Sequence, residues 1–405
     1  MTNATFSVDA ALDAARACLA RGDGAQAVAV LQDAVPDAPD NPALLTGLGV
    51  ALRFAGQFEP AADAFARALE RSPNQADAQV YLGMIRLAQD RQQEGWRLYQ
   101  SRWRNTHWTE KLRYPEATRW DGRVSHGLRL LLWAEQGFGD CIQFARYAPW
   151  LLRLLRQHGG SLVLEVPAPL LRLLQASWPF LDIVSSHEVR GRFDAHLPLM
   201  DLPHCCGGMV GPGGLPYEPM PLPYLSALPD LRTGQRGVLR VPAPDGRVLR
   251  VGLAWQGRPS HPDDRWRSVQ LQQLAALFDV PGIRWVNLQK DGAARLPWMQ
   301  DDLVLCGDFS DTARIVSDLD LVISIDSAIA HLAGALGKPV WLLLPKIADW
   351  RWLLAGERTP WYPSMRLFRQ GADEDWPALA ERVAVAIQEV RVPPACHAGP
   401  DLGPQ

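Results

Sequence analysis

The chain has 405 residues, of which 47% are hydrophobic and 21% charged, a composition typical of a soluble globular protein with two or three domains. Its formal net charge of −3 gives no electrostatic reason to expect nucleic acid or an anionic membrane as a partner. The N-terminus lacks the features of a signal peptide, and no apolar run reaches the roughly 18 residues of a membrane span. Six cysteines without a C-x-x-C pair fit reduced thiols, so we expect a cytoplasmic location.

The N-terminal part of the chain carries an internal repeat. Small and apolar positions within residues 15–39 recur 34 positions later within residues 49–73. This is the period of the tetratricopeptide repeat (TPR), a pair of helices with small residues where they cross. A third unit begins at Ala76 and then departs from the pattern. The sequence predicts two clear repeats and one degenerate repeat over residues 8–107, with a stacked surface suited to a peptide or protein partner.

From Leu128 the pattern changes to short apolar runs that alternate with amphipathic stretches. Strands alternating with helices indicate an open parallel sheet, so residues 126–240 are predicted to form a Rossmann-like half. One long helix is predicted over 141–160 and ends at glycine. The Pro- and Gly-rich stretch after Met200 is predicted to be irregular.

A second alternating series predicts another Rossmann-like half over residues 247–391. Its predicted strands include the run "DLVLCG" at 302–307, and its last helix begins at Asp375. The tail over 392–405 is predicted to be disordered. Two α/β halves that face each other place a ligand at the carboxyl ends of their strands.

The junction Asp326-Ser327 joins a predicted strand to a helix of small residues. The first amides of such a helix lack internal partners and lie at the positive end of its dipole, where a phosphate is well held. Ser327 and His331 could add side-chain contacts. Alternatively, Asp326 or Ser327 simply caps the helix. The sequence leaves both interpretations open.

The turn "GFGD" after the first predicted strand repeats this design in the first half. Gly137 and Gly139 permit a tight turn that directs Asp140 into the cleft. A carboxylate at this position can act as a general base toward a hydroxyl, or it can serve as another helix cap.

Further polar and aromatic residues are candidates for lining the cleft. Arg258, Arg265 and Arg267 follow the first strand of the second half and could pair with a diphosphate. The aromatic cluster at 349–352 either stacks on a ligand or packs in the core. The possible cleft-lining residues are Gln136, Gly137, Gly139, Gln256, Gln289, Asp349 and Trp350.

No metal site is predicted from the sequence. The adjacent residues His204, Cys205 and Cys206 superficially suggest one, but neighbouring cysteines seldom bind one zinc ion and no second cluster follows.

These motifs resemble the bacterial glycosyltransferases of the heptosyltransferase-like family nine. More closely, they resemble bacterial TPR proteins that carry such a domain at the C-terminus, a group that includes enzymes that glycosylate flagellin. The resemblance spans about Val8 to Gln370 and is carried by "AEQGFGDCIQFARY", "DSAIAHLAGALGKPVWLLLP" and "DWRWLL". It implies TPR helices followed by a GT-B fold, in which two Rossmann-like α/β domains take a nucleotide-activated sugar between them.

The resemblance also implies residue roles. Asp140 matches the family's candidate base. The family motif D-[ST]-G-x-x-H-L-A contacts the donor diphosphate and is assisted by a basic residue; the matching positions are Asp326, Ser327, Ala328 and His331, with Arg265 or Arg267. Ala328 stands where the family has glycine, and its Cβ could narrow the phosphate site.

The predicted function is inverting, metal-independent transfer of a sugar from a nucleotide-activated donor to a hydroxyl acceptor. The TPR region would hold that acceptor, for example a protein such as flagellin, and no cofactor is needed besides the nucleotide-sugar co-substrate. The alternative is a non-catalytic scaffold with a degenerate GT-B domain, which Ala328 favours. A dehydrogenase is disfavoured because "GFGD" does not continue to the third glycine of the dinucleotide fingerprint.

Overall fold

A computed structural model describes residues 7–105, 112–186, 188, 191–206, 222–228, 248–260, 264–290 and 296–391. The predicted tail over 392–405 and most of the Pro- and Gly-rich stretch lie outside the described residues. Within them, no helix combines the length and apolar character needed to cross a membrane.

The N-terminal region consists of three antiparallel helix pairs. Its helices are α1 (Val8–Ala20), α2 (Gly24–Ala34), α3 (Pro42–Phe54), α4 (Phe58–Arg71), α5 (Ala76–Ala88) and α6 (Gln92–Tyr99). The third pair is also formed, but its second helix, α6, has only 8 residues, fewer than α2 or α4. Gly83 and Gly95 let its helices approach closely, since a Cβ on Gly83 would lie 2.9 Å from the backbone nitrogen of Tyr99.

The first α/β half contains a four-stranded parallel sheet of order β3-β2-β1-β4. Its elements are β1 (Arg129–Trp133), α7 (Phe138–Ala145), α8 (Ala148–Gln157), β2 (Ser161–Val166), α9 (Ala168–Ser177), β3 (Asp182–Ser185), β4 (Ala195–Pro198) and α10 (Leu202–Cys206). The prediction of one helix over 141–160 is wrong. Pro149 has no N–H to donate to the carbonyl of Ala145, so the chain breaks into α7 and α8.

The second half contains a five-stranded parallel sheet of order β6-β5-β7-β8-β9. Its strands are β5 (Leu249–Ala254), β6 (Ile283–Asn287), β7 (Leu321–Ile325), β8 (Val340–Leu344) and β9 (Met365–Arg369). Its helices are α11 (Asp264–Arg267), α12 (Ala275–Phe278), α13 (Phe309–Ser317), α14 (Ala328–Ala335) and α15 (Trp376–Arg391). The predicted strand at 302–307 is wrong: Leu303–Leu305 form a 3₁₀ turn, and Val304 and Leu305 are exposed.

Aromatic side chains join the three regions into one packed unit. Trp96 of α6 makes edge-on contacts with Phe144 of the first half and with Trp350 of the second, at centroid distances of 5.6 and 5.1 Å. All three rings are buried. The helical region therefore packs against the junction of the two α/β halves.

Candidate functional site

The N-termini of α7 and α14 meet at the junction of the two halves. A Cβ added to Gly139 would lie 2.8 Å from Cδ2 of His331 and 3.6 Å from the Cα of Ala328. Non-bonded carbon atoms do not normally approach to 2.8 Å, so a larger residue would require the His331 ring or one of the two helices to move. Gly139 thus permits the close approach that brings Asp140 and the Asp326 junction into one site.

The N-terminus of α14 carries no side-chain cap. β7 ends at Ile325, and Ser327 occupies the N-cap position, but its side chain accepts no hydrogen bond from the helix. The Ser327 hydroxyl instead lies 3.0 Å from the Ser324 hydroxyl. Within the described part of the chain, the amides of Ala328 and Ile329 have no hydrogen-bond acceptor. The capping alternative is therefore not adopted here, and free donors remain at the positive end of α14.

Two titratable side chains lie beside this helix end. Burial, reinforced by the nearby Asp349 carboxylate, raises the pKa of Asp326 to about 6, although Arg267 acts in the opposite direction. Burial, followed by the positive charges of neighbouring arginines, holds the pKa of His331 well below its ordinary value. His331 is therefore a neutral imidazole at pH 7. Its Nε2 lies 3.8 Å from Oδ1 of Asp326, and its Nδ1 lies 2.9 Å from the Tyr362 hydroxyl.

We expect the raised pKa of Asp326 to appear in the stability of the protein. Because the folded-state pKa is about 6 and the ordinary value is 3.8, the contribution of Asp326 to the free energy of unfolding should fall as pH rises between those values. A shift of this size corresponds to about 3 kcal/mol. Urea denaturation across this pH range should show the contribution as a difference in slope between the wild type and Asp326→Asn.

Asp194→Asn is a matched control, because the contribution of Asp194 to the free energy of unfolding changes with pH in the opposite direction. Hydrogen bonds from Arg129 lower the pKa of Asp194, so its small contribution is lost as pH falls. A slope that is identical in the wild type and in Asp326→Asn would show that Asp326 has an ordinary pKa.

Asp140 is held from two directions. One carboxylate oxygen accepts a hydrogen bond of 2.8 Å from the Gly137 amide, and the other forms an ion pair with Arg351. Arg351 is almost fully buried and also contacts Asp349 at 2.8 Å and the Gln143 side chain at 2.9 Å. The cap predicted as an alternative role is thus present, together with an ion pair that the sequence did not indicate.

The structure separates the two arginines that the sequence left as alternatives. Arg265 donates hydrogen bonds of 3.0 and 2.8 Å to the carbonyls of Leu19 and Ala20 at the end of α1, so it faces the helical region. Arg267 lies 3.6 Å from Asp264, and its charge lowers the pKa of Asp326. Arg267 is therefore the better placed of the two.

The remaining predicted residues make mainly structural contacts. The side-chain oxygen of Gln289 accepts a 3.0 Å hydrogen bond from the amide of Gln256, at the carboxyl end of β5. The Gln136 amide donates to the Tyr99 hydroxyl at 3.2 Å. Trp350 packs in the core against Trp96, so the aromatic cluster is not exposed for stacking on a ligand.

Among the described residues, no group of three His, Cys, Asp or Glu side chains is arranged to hold a metal ion. Burial, as the main cause, raises the pKa of Cys205 to about 12, so this thiol is protonated at neutral pH.

Paired helices followed by two facing parallel sheets define the class predicted from the sequence, a TPR-like region joined to a GT-B fold. No family model matches the chain. A curated relative, Protein FlbA of Caulobacter vibrioides, is 26% identical over 398 residues, covering 91% of this chain and 65% of FlbA. The chain therefore spans less than two thirds of the length of that relative.

Two solved structures are similar to part of the chain. The iron-containing dodecameric glycosyltransferase TibC from enterotoxigenic E. coli H10407 is 14% identical, with a TM-score of 0.41, over 66% of this chain and 76% of TibC. E. coli ADP-heptose LPS heptosyltransferase II is also 14% identical, with a TM-score of 0.40, over 65% of this chain and all of the other. Similarity at this level concerns the fold alone.

Proposed function

We propose that the chain transfers a sugar from a nucleotide-activated donor to a hydroxyl acceptor. The observation that carries this proposal is the uncapped N-terminus of α14, with free amides at Ala328 and Ile329. Arg267 and Arg351 both lie close enough to lower the pKa of Asp326 at the same helix end. Free amides and guanidinium groups together form a site suited to a diphosphate.

In this proposal the half over residues 247–391 holds the donor and the half over 126–240 receives the acceptor. Asp140 takes the proton of the acceptor hydroxyl, whose oxygen then attacks the anomeric carbon. The bond between that carbon and the diphosphate oxygen breaks, and the electron pair leaves with the nucleoside diphosphate. Attack from the face opposite the leaving group inverts the anomeric centre. The arginines and the α14 amides stabilise the developing negative charge.

The proposal assigns the acceptor to the helical region. This region packs against the junction of the halves through Trp96 and Tyr99, so a polypeptide bound along it would lie next to α7. Stacked helix pairs of this kind present extended surfaces suited to a polypeptide. The proposed acceptor is a cytoplasmic protein such as flagellin.

One observation favours the alternative of a non-catalytic scaffold. Both oxygens of the Asp140 carboxylate have partners, Gly137 and Arg351, so the proposed base is not free in this structure. In the transfer mechanism Arg351 must exchange one partner for the donor diphosphate. In the scaffold Asp140 serves only to connect the halves.

A thermal-shift panel of UDP, GDP, ADP, CMP and their sugars separates these functions. We expect at least one diphosphate to raise the melting temperature of the wild-type protein. Ser327→Ala should weaken binding of the diphosphate and so reduce this rise in melting temperature, because a hydrogen bond to a charged group contributes about 1.5–3 kcal/mol. Ala328→Gly removes the Cβ that departs from the family motif, so it should bind at least as tightly as wild type. If no nucleotide changes the melting temperature of the wild-type protein or of Ala328→Gly, the scaffold is favoured.

A further inference from the structure

A polar cavity of about 330 Å³ lies where the third helix pair joins the first half. Three arginines line it, and they come from different parts of the chain: Arg97 from α6, Arg104 from the turn that follows α6, and Arg119 from the segment before β1. Trp103 adds an aromatic wall. The proposed donor site does not use any of these residues.

Among the described residues, the charges around the cavity do not balance. Arg119 pairs with Asp201, and Asp201 also pairs with the fully buried Arg102. Arg102 in turn binds Glu135 at 2.7 Å, so two arginines and two carboxylates cancel.

Two further positive charges remain at this cavity. Arg104 donates to neutral acceptors, including the Ser101 hydroxyl at 3.1 Å. Arg97 forms no hydrogen bond or ion pair with the described part of the chain. Because both side chains are exposed, their charge faces the solvent side of the cavity.

The cavity borders the edge of the first sheet from which α7 begins. Glu135 lies two residues beyond the last residue of β1, and Asp201 lies three residues beyond β4. Both carboxylates hold Arg102 behind the cavity wall, and Asp140 follows Glu135 within the next turn. A chain seated at the cavity would therefore lie at the same edge of the first sheet as the start of α7, which carries Asp140.

We infer that this cavity binds carboxylate side chains of a polypeptide, so that the acceptor carries an acidic segment near its modified hydroxyl. The inference rests on the proposed function for the role of the bound chain. A guanidinium group presents its donors in a planar fork that matches a carboxylate, and Trp103 can contact the apolar parts of a peptide. Because the chain as a whole has a net charge of −3, the excess positive charge at this cavity is local and matches a short acidic segment.

Fluorescence anisotropy of labelled peptides on the full chain tests the inference. The probes are a short peptide of alternating Glu and Ser and a matched peptide of Gln and Ser. We expect only the acidic peptide to bind, with affinity that falls as salt is added. Arg97→Gln and Arg104→Gln should each weaken it up to about fivefold, and the double variant up to about 25-fold. Arg123→Gln is the control, because Arg123 is 91% exposed and lies outside the cavity lining.

Equal binding of both peptides, or an unchanged affinity in the double variant, would overturn the inference. It would also fail if the double variant lost nucleoside diphosphate binding instead, because the cavity would then belong to the donor. Thermal melting confirms that each variant is folded. If the double variant does not fold, the two single variants are compared with the wild type instead. If acidic peptide binds at the cavity while no nucleotide binds anywhere, the peptide site stands and the transferase proposal fails.

Discussion

Asp140→Asn should reduce sugar transfer by about 10²–10⁴-fold while nucleoside diphosphate binding stays nearly unchanged. The carboxylate acts on the acceptor hydroxyl, whereas the proposed diphosphate site is formed by α14 and its arginines. Asparagine keeps a side-chain oxygen that can accept the hydrogen bond from the Gly137 amide, so the start of α7 should persist. Transfer is measured as nucleoside diphosphate released in the presence of acceptor, and donor binding is measured separately by calorimetry.

Asp349→Asn tests whether Asp140 acts as the base or only as an ion-pair partner of Arg351. Asp140 and Asp349 both pair with Arg351, but Asp349 lies outside α7 and caps the short helix at Trp350–Trp352. If Asp140 acts as the base, Asp349→Asn should slow transfer far less than Asp140→Asn. Equal losses in both variants would mean that Asp140 matters only as a partner of Arg351. If Asp140→Asn transferred sugar at the wild-type rate, Asp140 would serve only to cap α7.

The sequence predicted the fold class because each element carries its own periodic pattern. The 34-residue offset identifies the helix pairs, and short apolar runs identify the buried strands. The errors lie where a local feature overrides the pattern. Pro149 divides the predicted helix over 141–160, and the apolar run at 302–307 forms a 3₁₀ turn that exposes Val304 and Leu305.

The candidate site was predicted less completely, because its side chains meet across long sequence separations. Asp326, His331 and Asp140 were predicted from strand-to-helix junctions, and the structure brings them together. Arg351 was not predicted, although it lies within the aromatic cluster at 349–352. Nothing in its neighbours indicates that it pairs with a carboxylate 211 positions earlier.

The helical region is part of the same packed unit, which changes how its role should be tested. Deleting it would remove Trp96 and Tyr99 from the buried face of Trp350 and expose apolar surface at the junction of the halves. Loss of transfer in such a truncation could then reflect misfolding. Substitutions of exposed residues such as Arg97 test acceptor binding without disturbing that core.

Arg351→Met should destabilise the protein and abolish transfer together. Burial alone would lower the pKa of Arg351, but the carboxylates of Asp349 and Asp140 outweigh it, so the pKa is raised and the guanidinium stays charged. Removing one partner of a buried ion pair typically costs about 3–5 kcal/mol, because it leaves buried charge uncompensated. The side chain of Asp349 is 32% exposed, which places the expected loss near 3 kcal/mol in urea denaturation.

Arg351→Lys tests whether charge or geometry matters at this position. A lysine ammonium restores a positive charge, but it cannot reproduce the planar fork that reaches Asp140, Asp349 and Gln143 together. We therefore expect Lys to recover part of the stability lost in Met while transfer remains low. Because Arg351 connects α7 to the second half, the apparent affinity for the nucleoside diphosphate should also fall in both variants. Wild-type stability and transfer in Arg351→Met would show that the two halves are held, and Asp140 positioned, without this ion pair.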